Sequence, residues 1–168
     1  MTRLALGAFA LAAALLPGAA AAQSSCELKP APDGRRQVLR CGGGVSAEIE
    51  RGADVRVIDA NRDGAPEALD VQNRAVLVDY ERGGRGFQIL TPHAIAAVRG
   101  TTWAVEVDGG RTSVFVVDGQ VAVGRAAAGR GVVLRRGQGV DVDAGSGPLR
   151  VATWSRERAA ALLARFGR

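Results

Sequence analysis

The sequence predicts an all-β domain, either a short twisted β-solenoid or a β-sandwich of antiparallel-rich strands, with one C-terminal amphipathic helix. Three observations lead there. Short runs rich in β-branched residues recur between glycines from Val38 to Val142, at a spacing near the roughly 8–12 residues of an all-β domain. Asp-Gly pairs at Asp108-Gly109 and Asp118-Gly119 separate apolar alternations, and Asp-Gly suits the positive φ of a tight hairpin. Only after Ser155 does the apolar period lengthen from that of a strand to that of a helix.

Residues 1–22 read as a secretory signal peptide. Arg3 gives a positive start, Leu4 to Leu16 an apolar run, Pro17-Gly18 a break, and Ala20 and Ala22 the small residues that precede cleavage before Gln23. The run is short for a membrane span, and no later stretch approaches the ~20 apolar residues that a span needs. The mature chain is therefore expected in the periplasm or secreted, with no transmembrane span after cleavage. In an oxidising compartment the even pair Cys26 and Cys41 reads as one disulfide closing the segment 23–44. Closing a loop of about 15 residues is worth roughly 3 kcal/mol in the chain-entropy model. A lipid anchor on Cys26 is disfavoured because "AQSSC" lacks the leucine three positions ahead.

Residues 45–152 form the β domain. Candidate strands, with one just before it, are "RQVLRC", "VSAEIE", "DVRVID", "EALDV", "RAVLVDYE", "GFQILT", "TTWAVEVD", "TSVFVVD", "QVAVG", "VVLRR" and "GVDVD". The Asp-Gly turns predict a consecutive antiparallel meander from Thr102 to Val123, and recurring Val-x-Val units hint at stacked coils. The tail 153–168 is the helix. Ala159, Leu162, Leu163 and Phe166 share one face, Ser155 is its N-cap and Gly167 its C-cap. Arg156, Arg158 and Arg165 fall on what is expected to be its solvated side; the other reading of them is a membrane-surface face.

The formal charge is +5, carried almost wholly by arginine. Outside the cytoplasm this points away from nucleic acid and toward anionic envelope components, or to dispersed charges that keep the domain soluble. Catalytic side chains are few. His93 is the single histidine, it follows Pro92 with no G-x-S-x-G nearby, and both cysteines are expected to be oxidised. No phosphate loop, dinucleotide fingerprint or zinc spacing appears, so the expectation is a non-enzymatic protein without a cofactor. One cation motif stands out in "DANRDGAPEALD", where Asp59, Asn61, Asp63 and Gly64 match the start of a calcium loop and Asp70 falls at its twelfth position. The other reading of this segment is a polar turn.

The segment "TPHAIAAVRGTTWAVEV" resembles the core motif of FecR-type domains, through Thr91, Pro92, Ala94, Val98, Arg99, Gly100, Thr101, Trp103 and Val105. "VVDGQVAV" and "LRRGQGVDV" resemble the segments that follow, so the likeness covers residues 87–142. It implies a periplasmic binding or assembly module whose partner is a protein or a cell-envelope polymer. Membrane-bound members relay transporter occupancy to an extracytoplasmic-function sigma factor through a cytoplasmic segment, and here a cleavable leader stands in that place. A stand-alone periplasmic regulator of such signalling is the alternative, and a calcium-dependent surface module a third. Physically, Gly100 permits a bulge or close approach that re-aims the strand, while Trp103, Val105 and Val107 face the core. Arg99 is expected to pair with an acid or with strand carbonyls, because an unpaired buried arginine is very costly; the alternative is that it binds a ligand.

Overall fold

The computed structural model describes residues 26–81, 85–127 and 131–168; residues 1–22, expected from the sequence to be a signal peptide, lie outside them. The described chain forms strands β1 (Glu27–Pro30), β2 (Arg36–Cys41), β3 (Val45–Glu50), β4 (Val55–Ile58), β5 (Ala68–Val71), β6 (Arg74–Tyr80) and β7 (Phe87–Leu90). There follow β8 (Ala94–Val98), β9 (Thr101–Asp108), β10 (Arg111–Asp118), β11 (Gln120–Arg125), β12 (Val132–Arg135), β13 (Gln138–Asp143) and β14 (Ala152–Thr153), then helix α1 (Arg156–Leu163). An eight-stranded sheet runs β1-β2-β3-β6-β9-β10-β13-β14, and a six-stranded sheet runs β12-β11-β8-β7-β5-β4. Among described strands every pairing is antiparallel except β5 with β7. The architecture is a sandwich. No helix among the described residues is long and apolar enough to cross a membrane.

Alternation along the central strands explains the layers. On β6 and β9, Val76, Val78, Tyr80, Trp103, Val105 and Val107 point between the sheets to meet Leu69, Phe87, Ile89, Val98 and Val121. The intervening Ala75, Leu77 and Ala104, with Phe115 of β10, face the other way and are covered by Trp154, Leu162 and Phe166. The eight-stranded sheet is thus apolar on both faces at its centre, which requires a third layer, and the helix supplies it. Ser155 Oγ accepts from Arg158 N at 3.2 Å and Gly167 is left-handed at φ 73°, as the capping residues predict. Gly139 admits Trp154 to this face, since a Cβ there would stand 2.3 Å from the indole Nε1.

Of the helix arginines, Arg156 and Arg158 are exposed as expected, whereas Arg165 is half-buried. Arg165 bridges Glu50 on β3 and Glu106 on β9, and Arg158 stacks its guanidinium 3.7 Å from the Trp154 ring while bonding Asp141. The expected meander from Thr102 to Val123 is also corrected. β9 and β10 do form a hairpin, but β11 pairs with β8 and β12 in the other sheet. Asp118-Gly119 is a corner, not a hairpin turn.

Sheet changes occur at short links. Arg99-Gly100 joins β8 to β9, Gly119 joins β10 to β11, and Arg136-Gly137 joins β12 to β13. These corners lie side by side, because β8, β11 and β12 are neighbours in one sheet and β9, β10 and β13 in the other. Residues 51–54 and Gln72-Asn73 make two further links, tied together by Gln72 N to Asp54 O at 3.0 Å and Asp54 N to Asn73 Oδ1 at 2.8 Å. They sit at the opposite end of the sandwich, for Arg74 is registered with Val107 while Tyr80 is registered with Thr101. At the N-terminus the Cys26–Cys41 disulfide joins the start of β1 to the end of β2.

Candidate functional site

The motif residues build one corner and the strands that enter and leave it. Thr91 closes the β7–β8 turn: its N–H donates to Ala94 O at 2.9 Å and its Oγ1 accepts from Ala94 N at 2.9 Å. The same hydroxyl lies 2.9 Å from Thr112 Oγ1, which in turn lies 3.2 Å from His93 Nδ1. His93 therefore joins a hydroxyl network between the two sheets, and Pro92 is exposed beside it. Val98 is buried and Gly100 turns the chain at φ 67°. Thr101 Oγ1 donates to Gln120 O at 2.9 Å, stapling the first corner to the second. Gly119 must be glycine here, with φ 90° and a would-be Cβ only 2.8 Å from Thr101 Oγ1. Trp103 is wholly buried, edge-on to Phe87 at 6.2 Å.

Arg99 departs from the expected pairing. Its residue is exposed, and its side chain makes no hydrogen bond or ion pair with another described residue. The corner turns it outward over the free face of the six-stranded sheet, where it lines a groove of about 1000 Å³.

That groove follows from cross-strand register. Val133 pairs with Ala122, Ala122 with Ala97, Ala97 with Gln88, Gln88 with Ala68, and Ala68 with Ile58. One row of side chains thus crosses the whole sheet, and three of its members are alanine. The neighbouring row holds the larger Ile95 and Leu90, and on the corner side stand Arg85, Arg99 and Gln120. Small side chains between taller rows make a trough. A solvent-facing sheet surface is ordinarily polar; this one carries Val133 at 56% and Ile95 at 36% exposure.

Of the residues singled out as a calcium loop, Asp59, Asn61 and Asp63 share one turn and Asp70 does not. Asp59 Oδ2 accepts from Gly64 N, Asn61 Oδ1 from Asp63 N, and Asp63 Oδ1 from Ala65 N, so their oxygens shape a turn. The Ala65 N–H, with Asn61 and Arg85, holds the Asp63 carboxyl below its ordinary pKa. Asp70 lies apart on β5, bonded to Gln72 and 3.9 Å from Arg56. No group of three or more His, Cys, Asp or Glu among the described residues is placed to hold a metal.

Sequence reasoning missed β8 itself. "AIAAV" has too few β-branched residues to read as a strand, and its outward Ala97 is the centre of the trough. The usable signal was the alternation of Ala94, Ala96 and Val98 inward with Ile95 and Ala97 outward.

Sandwich, corners, trough and covering helix define a small all-β domain with one open, grooved face. The chain belongs to the FecR family: residues 30–122 match the family described as FecR protein. The match ends within β11, so β12, β13, β14 and the helix lie beyond it. Two crystal structures of a "putative anti-sigma factor" from Parabacteroides distasonis ATCC 8503 share the fold, with TM-scores of 0.57 and 0.51. Each is 17% identical and covers 83% of this chain and 61% of that one, so this chain spans about three fifths of that protein's structure. At this identity the likeness is one of fold. No curated protein matches the sequence.

Proposed function

We propose that this chain is an exported, non-enzymatic FecR-type module that binds a protein partner in the periplasm. The observation that carries the proposal is the trough, an apolar row on an outward sheet face beside an arginine without a partner among the described residues. Exposed apolar surface of this kind marks interaction sites on soluble domains. Family membership and the Cys26–Cys41 disulfide support an oxidising, extracytoplasmic setting. The test is a photo-crosslinking residue placed at Ala97 or Val133 on the trough, and at Arg156 on the helix side as a control. Discrete protein adducts from the trough positions alone are expected in cells. Adducts from the helix side only, or none from the trough, would overturn the assignment of this face.

A second reading, a stand-alone regulator in transporter and sigma-factor signalling, is favoured by the fold shared with the Parabacteroides protein. Deleting the gene would then change transcripts controlled by an extracytoplasmic-function sigma factor. Unaltered transcripts would retire this reading and leave the binding module intact.

A further inference from the structure

The dimensions, floor and charge of the trough bear on what fits it. Its row crosses six strands, and at about 4.8 Å per interval this is roughly 24 Å, a length that about seven residues span at ~3.3 Å each when extended. The floor is small and apolar at Ala68, Ala97 and Ala122, with Gln88 as the polar member of the row. An amide in that place offers a donor and an acceptor to a crossing peptide unit, which an acyl chain could not use.

The charge is one-sided. Arg99 has no partner among the described residues, and Arg85 has Asp63 at 3.4 Å. Arg135, registered with Gln120, stands at the end of the same rim. The carboxylates close by are already engaged: Glu67 Oε2 accepts from Ala60 N at 2.9 Å, Asp70 is shared by Gln72 and Arg56, and Asp118 faces Arg136 at 4.0 Å.

We propose that the trough receives an extended acidic segment of a partner protein, with Arg99 selecting its carboxylate; this rests on the protein-binding role proposed above. The segment lies across the strands, crossing them as layers do in orthogonal sheet packing. Its small or β-branched side chains rest on the alanine row, Gln88 meets its backbone, and the Arg99 fork takes one carboxylate in a charge-assisted pair.

The test uses the mature chain and acetylated, amidated heptapeptide pools with a fixed central Glu, Gln or Lys and Ala, Val, Ser or Thr elsewhere, titrated by fluorescence anisotropy. The Glu pool should bind about tenfold or more tightly than the Gln pool, as a charge-assisted bond implies, and the Lys pool weakest. Arg99→Ala should erase the preference for Glu at an unchanged melting temperature. Ala97→Leu, which fills the floor, should remove binding of every pool from a folded protein. Equal binding of all pools, no binding of any, or a preference for Glu that survives Arg99→Ala would overturn the inference. So would capture by phosphatidylglycerol vesicles in place of the peptides. If trough crosslinks still trap a protein while no pool is selected, the acidic segment is wrong and the binding module stands. Absence of trough crosslinks removes both.

Discussion

Trp103 and Arg99 sit four residues apart in one motif and carry opposite kinds of constraint. Trp103 fills the space between Phe87 and the β6 valines with no exposed surface. Trp103→Ala is expected to cost about 3–5 kcal/mol, the range for deleting a buried aromatic, measured by urea denaturation. Arg99→Ala should stay within about 0.5 kcal/mol of the parent in the same experiment, as an exposed substitution does. A large loss from Arg99→Ala would mean that it anchors the corner. The role of Trp103 was legible in the sequence, because apolar alternation with Val105 and Val107 fixes its face. That of Arg99 was not. Whether an arginine after a strand finds an acid depends on which way the chain turns at Gly100, and that turn is set by the distant Gly119 and Gln120.

Among the elements, the helix was the easiest to read and its contacts the hardest. Capping residues and an apolar stripe are local signals, whereas the ties of Arg158 and Arg165 run to strands far away in sequence. Asp141 on β13 is one of these ties. Burial raises its pKa, but hydrogen bonds from Arg158 and Ser113 outweigh this and hold the carboxyl below the ordinary aspartate range. A folded-state pKa below the unfolded value of about 3.9 means that this contribution is present at neutral pH and lost as pH falls through the folded value. Asp141→Asn should therefore lower stability at neutral pH and narrow the difference from the parent as pH falls below the ordinary aspartate range, read from denaturant midpoints at neutral and acid pH. A constant difference across that range would show that the charge of Asp141 is not what holds the helix.

For the whole molecule, most strands were legible, β1, β8 and β14 excepted, but their allocation to sheets was not. Asp118-Gly119 satisfies a hairpin turn and a sheet corner equally well, since both need the same backbone freedom at glycine. Only pairing with β8 and β12, settled by the buried faces of Val121 and Val123, sends β11 to the opposite sheet. The helix, though beyond the matched family segment, belongs to the same folding unit, because it covers Ala75, Leu77, Ala104 and Phe115. Deleting residues 152–168 should expose that surface, raise binding of a hydrophobic dye and broaden the thermal transition. A truncated chain with a sharp transition and no added dye binding would make the helix an appendage.

The short links at the two ends of the sandwich act like lacing drawn tight at diagonal corners. Three links at the Gly100 end hold β8, β11 and β12 of the six-stranded sheet, and the pair at Asp54 and Asn73 holds β4 and β5 from the far end. Links at two diagonal corners oppose both sliding of one sheet along the other and opening about one side. The trough is therefore cut into a plate held from both ends. Its row of alanines stands in register before any guest arrives, so little free energy is lost to arranging the receiving surface.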